Sequence, residues 1–173
     1  VTLKGEAFFQ VKEDNVRFVV ETAYGEVEVK GTSFNVKAYS DGLFETTTVT
    51  GAVSVLAGNN KEISVRPGNQ AVYDGKDFEI MEVETSLYTS WTEGKLIFRK
   101  EHLPMLAARF ERWYNVRIDL DDDERLSGIY YTGVLEMESF SEVLNLLKVT
   151  APVDYSWDEK TRVIKIFYKN NNL

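Results

Sequence analysis

The chain has no cysteine, which excludes disulfide bonds and metal sites built from thiolates. It has a single histidine, His102, which stands at the beginning of a predicted helix and is expected to be a helix-entry or surface residue. No Ser-His-Asp set, phosphate-binding P-loop or histidine-rich metal motif is present in the sequence. These absences favour a protein that is not an enzyme, with no catalytic residues, no metal ion and no cofactor.

Basic residues and long apolar runs are also scarce. The sequence has 28 acidic and 20 basic side chains, a net charge of -8, which argues against a nucleic-acid partner. No apolar run approaches the roughly 20 residues needed to cross a bilayer, and no signal peptide is recognisable. Because the chain begins at Val1 in a strand-like run without a methionine, we interpret it as a piece of a longer protein.

The first half of the chain contains an alternation of apolar and polar residues with frequent turns, which is typical of β structure. The run Gly25–Tyr39 alternates on both sides of the Gly31-Thr32 step, which predicts two short strands joined by a tight corner. Three glycines at irregular spacing each begin a β stretch: Gly5, Gly25 and Gly51. We predict an all-β domain over residues 1–88, either a twisted β-solenoid or a compact sandwich.

The second half mixes helical and strand periods. Apolar residues recur at helical spacing from Leu103 onward, and Ser139 with Glu142 forms a capping box that begins a second helix. Alternating segments flank these helices, so we predict a small βαβ-βαββ domain over residues 89–173 and a mainly β plus α+β protein overall. The acidic run Asp121–Glu124 lacks the spacing of an EF-hand and predicts a solvated turn.

Aromatic residues leave one alternative function open. Three tryptophans, Trp91, Trp113 and Trp157, and several of the nine tyrosines could line a platform that binds glycans. Most of them occupy apolar positions of the strand or helix pattern, which favours packing in the core. An extracytoplasmic carbohydrate-binding or adhesin-like module therefore remains the alternative interpretation.

Six segments carry a resemblance to a known family, in a consistent order along the chain. They are Gly5–Val11, Gly31–Val36, Val49–Val55, Val65–Ala71, Trp91–Phe98 and Phe110–Val116. The first four resemble the opening strand, the Gly-Thr-x-Phe-x-Val core, the following hairpin and the Pro-Gly-x-Gln turn of the FecR family, periplasmic regulators of extracytoplasmic sigma factors. The fifth resembles the tryptophan-led strand that joins this domain to the C-terminal domain, and the sixth resembles the end of the first helix of that C-terminal domain. The second domain is similar to the short N-terminal domain of secretins and TonB-dependent receptors.

This resemblance implies that the chain is the periplasmic region of a single-pass inner-membrane anti-sigma factor. The implied partners are the signalling domain of an outer-membrane TonB-dependent transporter and, through a cytoplasmic segment absent from this chain, an extracytoplasmic-function sigma factor. Release of the sigma factor would involve periplasmic or intramembrane proteases. In this interpretation the chain receives a signal and does not itself bind the sigma factor.

Two kinds of functional residue are expected. Some FecR-like proteins cleave themselves at a matching Gly-Thr bond, which makes Gly31 and Thr32 a candidate bond, although a tight structural corner is the favoured interpretation. For partner binding, an exposed edge strand would use three residues of one predicted strand, and an apolar patch beside the second helix would use a fourth. The candidates are Tyr130, Tyr131 and Leu135 for the strand and Leu146 for the patch. The same alternation puts Tyr130, Thr132 and Val134 on one strand face, and Tyr131 and Leu135 on the other.

Overall fold

The computed structural model describes residues 1–14, 16–40, 43–58, 60–136, 138–158 and 160–169. The chain divides into two compact units, Val1–Glu93 and Gly94–Leu173, which we call the first and second units. Among the described residues, no helix combines the length and the apolar character needed to cross a membrane.

The first unit consists of antiparallel strands, as the period-two pattern predicts. They are β1 (Gly5–Gln10), β2 (Phe18–Glu21), β3 (Gly25–Val29), β4 (Ser33–Ala38), β5 (Phe44–Thr50), β6 (Val53–Ala57), β7 (Lys61–Val65), β8 (Asn69–Tyr73) and β9 (Phe78–Glu82). They form a five-stranded sheet in the order β1-β4-β5-β8-β9 and a four-stranded sheet in the order β2-β3-β6-β7. Successive hairpins therefore alternate between the two sheets.

Alternating side chains of both sheets enclose one apolar core. Val27 and Val55 are paired residues of the four-stranded sheet, and Phe34 and Phe44 lie in the five-stranded sheet. All four side chains are buried in the same cluster, so the first unit is built as a sandwich. The two strands predicted within the Gly25–Tyr39 run are present, but the corner between them carries the chain from one sheet to the other.

The segment that ends the first unit is helical, which the sequence pattern did not predict. A short helix α1 (Ser86–Thr89) is followed directly by a 3₁₀ turn (Ser90–Glu93). Four-residue helices are too short to display a helical period in the sequence. The predicted boundary between residues 88 and 89 falls within α1, and the two compact units divide after Glu93.

The second unit has the predicted order of strands and long helices, with one short helix added. Its elements are β10 (Lys95–His102), α2 (Leu103–Tyr114), β11 (Arg117–Leu120), α3 (Glu124–Ser127), β12 (Tyr130–Glu136), α4 (Phe140–Thr150), β13 (Val153–Asp158) and β14 (Val163–Tyr168). One sheet pairs β10 with β12, and the other has the order β11-β14-β13, with β11 parallel to β14. The mainly β plus α+β fold class is therefore confirmed, and each βαβ-like half contributes strands to both sheets.

Helix ends in the second unit follow local sequence signals. The predicted capping box is present, because the Ser139 side chain accepts from the Glu142 N–H while the Glu142 carboxylate accepts from the Ser139 N–H. The Ser139 hydroxyl also donates to the Glu142 carboxylate at 2.6 Å, and this bond, together with the one from the Ser139 N–H, lowers the pKa of Glu142. Asn115 ends α2 in the left-handed conformation, with φ 50°.

The acidic run differs from its prediction. Asp123 accepts a hydrogen bond from the Arg125 N–H at 3.0 Å and caps α3, so part of the predicted solvated turn is the beginning of a helix. The guanidinium of Arg125 also bonds the Asp123 carboxylate and lowers its pKa. The Asp123 carboxylate thus both caps α3 and forms an ion pair with Arg125.

Candidate functional site

The Gly31-Thr32 corner is held on both sides by hydrogen bonds. The Thr32 N–H donates to Val11 O at 3.1 Å, and the Val11 N–H donates to Thr32 O at 2.9 Å. The Thr32 side chain is buried, and its Oγ1 donates to Ala52 O at 3.1 Å. The corner is therefore fixed to the segment that follows β1 and to the turn between β5 and β6.

Glycine is required at this corner because the backbones approach closely. A Cβ at Gly31 would lie 2.7 Å from the Cα of Glu13. Gly51, with φ +74°, lies opposite, where a Cβ would collide with Gly31 O and come within 2.8 Å of Thr32 Oγ1. Gly31 lies between β3 and β4, and Gly51 lies between β5 and β6. The two connections that join the sheets at these points thus pack against each other.

The chemistry available to Thr32 is limited by its partner. Attack by a hydroxyl on the preceding carbonyl needs a group that accepts its proton. In the described part of the chain the Thr32 hydroxyl donates to a carbonyl oxygen, which is not a base. An open pocket of about 360 Å³ lies beside the corner, and Glu13, Glu28 and Ser54 are among the residues that line it. This arrangement supports a structural corner, and self-cleavage stays a prediction from resemblance.

Self-cleavage at this bond has a direct test. We expect the protein to have one intact mass under denaturing conditions, because the Thr32 hydroxyl donates to the Ala52 carbonyl oxygen, which cannot act as a base. The Thr32→Ala variant serves as the control and should give the same pattern. Two fragments that separate between Gly31 and Thr32 in the wild type, and that disappear in the variant, would establish cleavage instead.

The four partner-binding candidates fall into two environments. Tyr130 and Leu146 are exposed, at 55% and 48% of their surfaces, whereas Tyr131 and Leu135 are buried, at 8% and 7% exposed. The Tyr131 hydroxyl donates to Leu147 O at 3.4 Å, and burial raises its pKa to about 12. The side chains of Tyr131 and Leu135 therefore belong to the core, and neither is exposed to a partner.

Val134 was not among the predicted residues although it shares the outer face of β12 with Tyr130. It is 51% exposed, and Thr132 between them is exposed as well. The period-two alternation separated the two faces of this strand correctly. It could not indicate which face is internal, since both faces carry a tyrosine and an aliphatic residue.

The remaining predicted features do not assemble into a chemical site. His102 directly precedes α2, with its Nδ1 3.0 Å from Ser127 O and its ring 4.1 Å from that of Tyr130. Among the described residues no group of three or more potential metal ligands is present. Trp157 meets Phe140 edge-on, at 5.9 Å and 80°, so these rings do not form a flat platform for sugars.

Comparison with known proteins decides the family. The model described as "FecR protein" matches residues 1–54, and the model described as "FecR, C-terminal" matches residues 95–172. The chain belongs to the FecR family. These two matches lie within the first and second units respectively, in the order predicted from the motifs.

Solved structures support the assignment of this chain to the FecR family. Two crystal structures of a protein from Parabacteroides distasonis assigned as an anti-sigma factor are 29% and 28% identical to it, with TM-scores of 0.83 and 0.82. Each covers 98% of this chain, which in turn covers 80% and 79% of those chains. No curated protein matches this chain. The family models and the solved structures thus both support an anti-sigma factor of the FecR family.

Proposed function

We infer that this FecR-family region receives a signal in the periplasm as part of a single-pass inner-membrane anti-sigma factor. The signal would come from the signalling domain of an outer-membrane TonB-dependent transporter when its substrate is bound. It would be relayed to an extracytoplasmic-function sigma factor held by a cytoplasmic segment outside this chain, with proteolysis as the step that releases the sigma factor.

One observation carries this proposal: both FecR family models match, one in each unit, and the structural likeness extends over 98% of this chain. Surface features are consistent with a binding role. The second unit exposes Tyr130 and Val134 on β12 and Leu146 and Val149 on α4. Exposed apolar residues grouped on one element are typical of surfaces that bind other proteins. No described cluster of titratable groups suggests a competing catalytic role.

The proposal is tested by binding. The purified chain is expected to form a saturable complex with the signalling domain of the transporter encoded beside its gene, measured by isothermal titration calorimetry. Because transient signalling contacts are usually modest in area, we expect micromolar affinity. The signalling domain of an unrelated transporter is the matched control and should not bind.

The alternative, a carbohydrate-binding or adhesin-like module, predicts the opposite result. A panel of glycans titrated in the same instrument should show no saturable binding if the chain receives signals from a transporter. Saturable binding to a glycan, together with no complex with the cognate signalling domain, would replace the proposed function with this alternative.

A further inference from the structure

The two-stranded sheet of the second unit has two edges, and the β10 edge is covered. Arg109 of α2 extends along it and donates from one guanidinium nitrogen to Ile97 O at 3.0 Å. Its other terminal nitrogen bonds the Glu101 carboxylate at 2.5 Å. A charged side chain that occupies edge carbonyls prevents another strand from pairing there.

The two outer edges of the three-stranded sheet each have one backbone N–H bonded to a side chain. At the edge of β11 the Ile118 N–H donates to the Glu111 carboxylate at 2.7 Å. In β13, at the far edge of the same sheet, the Tyr155 N–H donates to the Asp154 side chain at 2.9 Å. At each of these two edges, one outward N–H is therefore satisfied by a local side chain.

The backbone of β12 points alternately toward β10 and away from it. In an antiparallel ladder, the two residues of a non-hydrogen-bonded pair both direct their N–H and C=O groups away from the partner strand. Ile97, whose carbonyl faces outward to Arg109, is opposite Val134. The Glu136 N–H also faces outward, since it donates to Glu138. The outward-facing groups of β12 are thus those of Tyr130, Thr132, Val134 and Glu136.

This edge of β12 is open between Tyr130 and Val134. Among the described residues, no hydrogen bond reaches the N–H groups of Tyr130, Thr132 or Val134, and Glu138 caps only the end of the strand. The side chains of these three residues are exposed. The β12 edge therefore combines three successive outward N–H groups without a described partner with the exposed apolar side chains of Tyr130 and Val134.

We propose that the open edge of β12 binds an extended strand of the partner protein, which adds a third strand to the β10-β12 sheet. The inference rests on the proposed function, and it names the surface and the chemistry of the contact. Backbone groups of Tyr130, Thr132 and Val134 supply the hydrogen bonds. The exposed side chains of Tyr130 and Val134 select a partner strand with apolar residues at alternate positions.

The test separates a backbone contact from a side-chain contact at one position. Val134→Pro removes an outward N–H and no bond to β10, so an edge strand should tolerate it. Val134→Ala keeps the N–H and shortens the side chain. With the cognate signalling domain as ligand, we expect Val134→Pro to weaken binding about tenfold or more, since a lost backbone bond in an interface has roughly this effect. Val134→Ala should stay within about threefold of the wild type.

A second measurement does not depend on the proline variant folding. Residue-resolved amide hydrogen exchange of the wild-type chain should show fast exchange at Tyr130, Thr132 and Val134 and slow exchange at Tyr131 and Leu135. Addition of the signalling domain should then slow the exchange of the first three amides. Protection elsewhere, with these three unchanged, would overturn the edge contact.

The outcomes separate this inference from the function on which it rests. A wild-type complex that Val134→Pro leaves intact, or that Val134→Ala weakens equally, rejects strand addition and leaves the proposed function standing. Absence of a wild-type complex rejects both. If the wild type alone dimerises in sedimentation and Val134→Pro does not, the strand that occupies the edge comes from a second copy, which also overturns the proposal.

Discussion

Replacing Gly51 with alanine is expected to lower the free energy of unfolding of the first unit by about 3 kcal/mol. A left-handed conformation costs a residue with a Cβ roughly 1–2 kcal/mol, and overpacking of a filled site adds about 1–3 kcal/mol. Both terms apply, because Gly51 has φ +74° and its Cβ would collide with Gly31 O. Urea denaturation combined with native-state hydrogen exchange would measure the loss within the first unit.

Gly68 provides a matched control for this substitution. Its φ of +77° is close to that of Gly51, but no described atom lies within 4 Å of a Cβ built there. Gly68→Ala should therefore carry only the conformational cost, about 1 kcal/mol. Equal losses in the two variants would mean that the contact between Gly51 and Gly31 is unimportant for stability.

Replacing Phe110 with alanine should destabilise the second unit by about 3–5 kcal/mol, the usual cost of removing a buried aromatic side chain. Phe110 is fully buried on α2, and its ring meets those of Phe98 and Tyr114 at 6.3 and 6.2 Å. Because a domain is stable by only about 5–15 kcal/mol, this loss is a large part of the total. Denaturation curves, resolved for this unit by hydrogen exchange, would give the value.

Trp113, on the same helix, is the control for Phe110. It is larger but 37% exposed, so its truncation removes less buried surface and should cost clearly less than that of Phe110. A loss for Trp113→Ala that equals or exceeds that of Phe110→Ala would contradict the assignment of the core face of α2.

Local patterns in the sequence predicted the elements well, because each pattern reports the immediate neighbours of a residue. The alternation around Gly31 and the capping box at Ser139 are examples, and both features are present. Sheet partners depend on distant residues. Nothing near Gly25 indicates that β3 pairs with β6 and that β4 pairs with β1.

The candidate binding strand shows the same limit at the level of single residues. Tyr130 and Tyr131 are adjacent and chemically identical, yet one is exposed and the other is buried. Only the packing of α4, whose Leu147 carbonyl accepts from the Tyr131 hydroxyl, decides between them. Similarly, no local pattern records that Arg109 lies along the β10 edge and that Glu111 bonds the β11 edge.

The alternation of hairpins between the two sheets also determines what a break in the first unit would do. A cut between Gly31 and Thr32 would leave β1, β2 and β3 on one fragment and the other strands on the second. The β1-β4 and β3-β6 ladders would still join the fragments, along Gly5–Gln10 and Gly25–Glu28. A nicked molecule would thus keep its native size in gel filtration and separate only on denaturation, so that cutting and dissociation become two independent events.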